Sequence, residues 1–331
     1  EYYDIQAVFD SLYSKSLENK NFTKLMELIT TRENILLAYR NIKKNKGSMT
    51  KGTDARDITF YSNMPQDVFV KHIQNMFRNY HPKSVRRVEI PKPNGKMRPL
   101  GIPCMGDRIV QQCIKQVLEP ICEAKFHKHS YGFRPNRSTH HAISRSMSLI
   151  NMNKLHYVVD IDIKGFFDNV NHSKLKKQMW NLGIQDKNLI SIIDKILKSE
   201  IDTVGAPTKG TPQGGILSPL LSNIVLNELD WWISNQWESF QTAHDYTTVR
   251  KNGYVDQSNK YKTMKTTNLK EIWLVRYADD FKIFCRDYKT ANKIYIATKQ
   301  WLKERLRLEI SEDKSKITNL KTNYTEFLGF R

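Results

Sequence analysis

Val159-Asp160-Ile161-Asp162-Ile163-Lys164-Gly165-Phe166-Phe167-Asp168 and, far downstream, Arg276-Tyr277-Ala278-Asp279-Asp280-Phe281 are the stretches from which the rest of the chain can be read. Strand alternation in the first puts Asp160 and Asp162 on one face and Val159, Ile161 and Ile163 on the other. The second places adjacent acids at a tight turn between apolar runs, Trp273 to Tyr277 and Phe281 to Cys285. If the strands are neighbours, Asp162 and Asp279 approach within a few ångströms and repel without a counter-ion. Divalent cations relieve that repulsion, and hard oxygen ligands select Mg²⁺. Two such ions about 3.5 to 4 Å apart serve in-line phosphoryl transfer. Taken singly, Asp279-Asp280 is an ordinary acidic turn and Asp162 an ordinary strand-end acid. Asp168 reads as the N-cap of the helix that comes next.

Working outward, helices and a polar loop are expected over residues 1 to 60, with Thr30 or Thr31 capping a helix that carries Ile35, Leu36, Tyr39 and Ile42. That helix runs into a lysine-rich loop from Lys43 to Gly52. An amphipathic helix over residues 65 to 80 should turn Val68, Ile73, Met76 and Phe77 inward. Val85 to Ile90 and Arg98 to Pro103 form a hairpin around Pro93-Asn94-Gly95. Helices are expected over Asp107 to Phe126, from about His172, over Leu217 to Ile233 and over Lys289 to Arg307. Strands are expected at His156 to Ile163 and Lys316 to Leu320, and a polar exposed insertion over about 240 to 270. The order predicts an α+β fold with helices behind an antiparallel sheet. Thr208-Lys209-Gly210-Thr211-Pro212-Gln213-Gly214-Gly215 is a turn before an apolar helix. It is not a nucleotide-binding P-loop, because Thr211 stands where Lys is required.

The 331 residues carry 53 Lys and Arg against 34 Asp and Glu, a formal charge of +19. These cations are spread along the chain and interleaved with aromatics, a pattern suited to phosphate neutralisation and base stacking. A solvated basic surface is the plainer alternative. With 14 Gly and 11 Pro the chain is neither collagen-like nor a low-complexity linker. Its apolar runs are too short to span a bilayer, so no membrane association is expected. No secretory leader opens it. Cys104, Cys113, Cys122 and Cys285 form no Cys-x-x-Cys pair, which disfavours zinc and disulfides and suits a reducing, cytoplasmic setting.

Several strings now occur in one order: Asn45-Lys46-Gly47 through Gly52-Thr53-Asp54, Ile90 to Pro103, Ser130-Tyr131-Gly132-Phe133-Arg134-Pro135, Asp162 to Asp168, Gly210 to Pro219, Tyr277-Ala278-Asp279-Asp280 and Phe327-Leu328-Gly329-Phe330. In this order the chain resembles the reverse transcriptase/maturases encoded by group II introns, of bacteria or organelles. The resemblance implies a right-hand polymerase fingers and palm: an N-terminal extension at 1–60, fingers at 61–155 and palm at 156–331, with part of the fingers supplied after the first palm helix. The chain stops just past Phe330, so the family's thumb is expected to be absent and synthesis to be weakly processive.

The implied activity is that of an RNA-directed DNA polymerase that also binds intron RNA to assist splicing and mobility. Implied partners are intron RNA, an RNA template, a DNA primer or target and dNTPs; a homodimer is left open. A maturase acting only as a non-catalytic RNA-binding splicing cofactor, and a retron or diversity-generating reverse transcriptase, are the alternatives. By resemblance Asp162, Asp279 and Asp280, with the Ile163 carbonyl, hold two Mg²⁺ ions. Lys92 and Arg98 grip the triphosphate, Phe167 crowds the ribose 2′ carbon, Gln213 packs near the incoming sugar and base, and Lys314 lies near the triphosphate. Tyr277 underlies the primer terminus, while Lys46, Lys51, Tyr131 and Arg134 contact the template, with a core role for Tyr131 and Phe133 the equal alternative.

Overall fold

β-Branched and aromatic residues crowd the segments that become the central sheet, and most of their side chains are buried. The structure is a computed structural model that describes residues 4–91, 95 and 97–331. The chain folds as two units, Glu1–Phe126 with Gly165–Val225, and His127–Lys164 with Leu226–Arg331. The division falls within the helix Ser218–Ser234.

In the first unit the helix Met105–Glu123 is the centre of the core, with Met105, Ile109, Cys113, Ile114, Val117 and Leu118 all buried. Helices Gln6–Leu17, Arg32–Lys43 and Gln66–Arg78 pack against it. Thr31 caps the second of these, accepting from the Asn34 amide. In the third, Ile73 and Phe77 face inward as expected, but Val68 is exposed and its neighbours Phe69 and Val70 are buried instead. The described residues before 60 therefore share one core with the rest of the first unit, because their apolar faces close on Met105–Glu123. Strands β1 (Arg86–Pro91) and β2 (Met97–Ile102) form an antiparallel hairpin.

The second unit is built on a sheet. After β3 (Tyr157–Ile161), the polar stretch contributes only the two-residue strands β4 (Thr248–Val249) and β5 (Val255–Asp256) and a helix, Ser258–Met264. Then come β6 (Ile272–Tyr277), β7 (Asp280–Cys285) and β8 (Lys316–Asn319). The sheet order is β6-β7-β3-β8, every pair antiparallel. Nearly every residue of β6 and β7 is buried, so these strands are covered on both faces. Tyr288–Trp301 packs on β3, β7 and β8, and Thr139–Asn151 on β6. His129 and Tyr131 bond the backbone of Arg276, which draws the segment after His127 into this unit rather than into the one before it.

Candidate active site

Register decides what stands beside what. On β3 and β7, Asp160 pairs with Lys282 and Ile161 with Phe281. The pairing ends there, with Asp162 next after β3 and Asp280 at the start of β7, near enough for the Asp162 charge to act on the Asp280 carboxyl. Alternation puts Asp160, Asp162, Lys282 and Asp280 on one face, while Val159, Ile161, Phe281 and Ile283 are fully or almost fully buried. The Lys282 ammonium lies 2.6 Å from Asp160, whose other visitor is the Thr325 hydroxyl at 3.1 Å. Burial, together with the carboxylates of Asp160, Asp279 and Asp162 and against the pull of Lys282, pushes the Asp280 carboxyl up to about 6. A carboxylate raised in this way by its neighbours has the electrostatics of a cation site.

Asp162 lies just past β3. Its amide donates to the Ser315 hydroxyl at 3.1 Å and its carbonyl accepts from Ser311 at 2.8 Å. The next residue, Ile163, bridges Ile310, and the bonds flanking that bridge come from Lys164 and Ser311. In such a pair the residue's own N–H and C=O point away from its partner. The segment that closes on Asp162 also brings the Lys314 ammonium to 3.7 Å from its carboxylate; both side chains are substantially exposed. On the other strand, Tyr277 pairs with Asp280 across a turn of Ala278 and Asp279, with Ala278 in the left-handed region at φ 58°. Among the described residues no three His, Cys, Asp or Glu side chains are grouped at metal-ligand spacing. The carboxylates are neighbours across a register, not a closed cage.

The turn is held from behind. The Arg276 guanidinium is completely buried and grips Asp230 through Nε at 2.7 Å and Nη2 at 2.6 Å, while Nη1 donates to the Ala278 carbonyl at 2.7 Å. The sequence patterns single out neither Asp230 nor this role of Arg276. The stretch Ile224 to Ile233 holds two acids, Glu228 and Asp230, and nothing local tells the buried one from the other.

A second group of expected residues lies within the first unit. Arg98 Nε donates to the Gln213 side-chain oxygen at 2.8 Å, and Gln213 Nε2 reaches Asp168 at 3.3 Å. Gln213, Asp168 and half-buried Phe167 line a cavity of about 310 Å³ with Leu100, Gly101 and Lys209. The loop carrying Gln213 is fixed to β2, since the Gly101 amide bonds the Gln213 carbonyl at 2.6 Å. Gly214, at φ 106°, completes that approach, for a Cβ on it would stand 2.3 Å from the Gly101 carbonyl oxygen. Asp168 is not the cap of the next long helix. It sits inside the short helix Phe166–Asn169, and Asn171 caps His172–Asn181 by accepting from Lys174. Lys92 lies outside the described residues.

Lys46 and Lys51 are exposed on the basic loop, whose carbonyls at Gly47 and Thr50 accept from buried Arg108 at 2.9 and 2.6 Å. Tyr131 and Arg134 differ from the template contacts expected of them. Tyr131 is buried with its hydroxyl 3.0 Å from His129 Nδ1, and Arg134 is buried with Nη1 donating to His127 and Ser130 carbonyls, both at 2.7 Å. Each is consumed in holding its own segment. The exposed member of that string is Phe133.

Adjacent carboxylates at a hairpin turn of an antiparallel sheet are the arrangement that a nucleotidyl-transfer class of protein uses. The family model for reverse transcriptase (RNA-dependent DNA polymerase) matches residues 90–331. The chain belongs to that family, whose members work on nucleic acid with divalent metal ions, and within it resembles the intron-encoded reverse transcriptase/maturases. It is 35% identical to the protein YkfC of Escherichia coli over 93% of this chain and 82% of that protein. It is 32% identical to the group II intron-encoded protein LtrA of Lactococcus lactis over 98% of this chain, and spans 59% of LtrA. A chain of the partial Cas6-RT-Cas1–Cas2 complex is similar at 21% identity and a TM-score of 0.44, over 85% of this chain and 41% of that one. Among the described residues no helix is long and apolar enough to cross a membrane.

Proposed function

We propose that this chain carries the nucleotidyl-transfer centre of an RNA-directed DNA polymerase of the group II intron type, copying RNA into DNA from a primer and dNTPs and binding intron RNA to assist splicing and mobility. The observation that supports the reading is the β3–β7 register, which brings the end of β3, just before Asp162, to the start of β7, where Asp280 follows the Ala278-Asp279 turn. Asp162, Asp279, Asp280 and the Ile163 carbonyl are the oxygen ligands proposed for two Mg²⁺ ions. When bound there, such ions lower the pKa of a primer 3′-hydroxyl and offset charge on the departing pyrophosphate.

The protein's own residues do the rest. Lys314, exposed and only loosely paired with Asp162, can exchange that partner for a phosphate oxygen. Tyr277 ends the strand that delivers the turn and is the proposed support of the primer terminus. In the first unit, Arg98 is assigned with Lys92 to the triphosphate, Gln213 to the sugar and base, and Phe167 to excluding a ribose 2′-hydroxyl. A guanidinium already oriented by Gln213 loses little freedom when it meets a phosphate. Lys46 and Lys51 are assigned to the template backbone.

The test is extension of a DNA primer on an RNA template with Mg²⁺, using wild type, Asp162→Asn and Asp279→Asn, with RNA affinity measured in parallel. Extension by wild type alone, at equal RNA affinity in all three, is expected. Equal RNA affinity with no Mg²⁺-dependent extension by the wild type would leave the non-catalytic splicing cofactor in its place.

A further inference from the structure

We propose that Arg276 is a positioning residue for the metal-binding turn, fixing the peptide between Ala278 and Asp279, with Asp230 as the anchor that orients it. The proposal rests on the polymerase reading above. Its starting point is that Arg276 and Asp230 are both completely buried, 46 residues apart in sequence, and joined by two short hydrogen bonds. Removing two charges from water costs several kcal/mol per ion, and a well-packed apolar pair is often as stable or more so. Fold stability is therefore a poor reason for this pair to be here.

Geometry offers a better one. Asp230 occupies Nε and Nη2 in a fork, which fixes the guanidinium plane and leaves Nη1 aimed at the Ala278 carbonyl, 2.7 Å away. That carbonyl belongs to the peptide that leads directly into Asp279. Ala278 is also the residue of the turn with a left-handed φ, 58°, a conformation that is unfavourable for a non-glycine residue and needs its surroundings to hold it. The backbone of Arg276 is tied down as well, donating to the His129 carbonyl at 3.0 Å and accepting from the Tyr131 amide at 2.9 Å. The side chain that grips the turn thus projects from a backbone with no slack. A lysine in its place can pair with Asp230 but cannot form the same fork and reach Ala278 together.

Arg276→Lys and Asp230→Asn separate the roles. Asp230→Asn keeps one of the two acceptors of the fork and leaves Nη1 its Ala278 partner, while Arg276→Lys keeps the charge and loses that donor. For Arg276→Lys, Mn²⁺ affinity of the protein on primer–template, read from the electron paramagnetic resonance of free Mn²⁺, is expected to fall about 10- to 100-fold, with kcat for extension falling alongside. Its dNTP KM and RNA affinity should stay within about twofold, since only metal placement has changed. Asp230→Asn should lower the melting temperature but retain Mn²⁺ affinity better than Arg276→Lys. A folded Arg276→Lys protein with wild-type Mn²⁺ affinity and kcat overturns the proposal, as does an equal loss in both variants that tracks melting temperature alone. If Arg276→Lys does not fold, Asp230→Glu becomes the arbiter: it keeps charge but shifts the fork, so unchanged Mn²⁺ affinity would overturn the proposal. A wild-type protein with no Mg²⁺-dependent extension would instead sink the polymerase reading.

Discussion

A Cβ placed on Gly132 would stand 2.2 Å from the backbone nitrogen of Ala278. The same atom would lie 2.9 Å from the Tyr277 carbonyl carbon, so the obstruction is rigid backbone and not a side chain that can swing away. Gly132 therefore lets its segment lie flush against the turn that carries Asp279. Neither residue moves alone, because Tyr131 and Arg276 are hydrogen-bonded next door.

Gly132→Ala should accordingly push the turn away. Overpacking of this kind costs about 1 to 3 kcal/mol, visible as a lower melting temperature. Extension should fall by more than the folded fraction falls, since a displacement of about 1 Å at reacting groups can cost about a hundredfold. Thermal unfolding and single-turnover extension of the same preparation check it; activity that simply follows the folded fraction would contradict the assignment.

In the first unit, Gln213→Ala removes the acceptor that orients Arg98 and the donor that reaches Asp168. A hydrogen bond of net worth about 1 kcal/mol corresponds to roughly a fivefold change, expected here in dNTP KM. Phe167→Ala enlarges the cavity beside it and should relax discrimination against ribonucleotides while leaving RNA affinity alone. Steady-state incorporation of a dNTP and its ribonucleotide counterpart measures both. Unchanged discrimination removes Phe167 from the sugar site.

The reach of the sequence differs from residue to residue, according to what each signal depends on. Asp162 and the Asp279-Asp280 turn could be placed at strand ends because short runs of β-branched and aromatic residues are a local strand signal along Tyr157–Ile161 and Phe281 to Cys285. Their pairing could only be supposed, since no local pattern states which strands are neighbours. The Arg276–Asp230 anchor is invisible for that reason: it joins a strand to a distant helix. Tyr131 takes the core role left open for it, while Arg134 looks like a surface reader in the sequence and instead satisfies its own segment's carbonyls. Asp168 against Asn171 is a smaller error of the same kind, in which two capable cap residues lie three positions apart and only the backbone decides.

Acid should loosen the second unit through His127. Burial is the chief cause that takes its pKa down to about 4, with Asp230 and Glu238 opposing and His129 and Lys128 assisting. A histidine kept neutral in the fold but protonated in the unfolded chain gives stability that is complete above about pH 6.5 and is lost as pH falls toward 4. The size is of order 3 kcal/mol at most. Glu238, held at about 2 with His129 and Lys128 against it, is lost only at still lower pH. Asp107 in the first unit, raised to about 6 by burial, works in the opposite direction, so the comparison must be between proteins. Denaturant unfolding of wild type and His127→Gln from pH 7 to 4 should show a steeper loss in the wild type; parallel curves would refute the assignment.

Template binding provides the last contrast. Lys46 and Lys51 stand exposed on a loop held by Arg108, whereas Arg134 is already spent on two backbone carbonyls. A lysine that neutralises a phosphate releases counterion, so each Lys→Ala change should make the salt dependence of single-stranded RNA binding shallower by about 0.7 in log–log slope. The loss should be uniform across RNA sequences, as backbone contacts carry no base information. Arg134→Met should leave that slope unchanged and instead lower the melting temperature, because it strands the Ser130 carbonyl in a buried site at about 1 to 3 kcal/mol and leaves the His127 carbonyl only the Ser130 amide. Fluorescence anisotropy over a range of salt, paired with thermal unfolding, separates the two. A reduced slope in the Arg134 variant, with its stability intact, would restore that residue to the template surface.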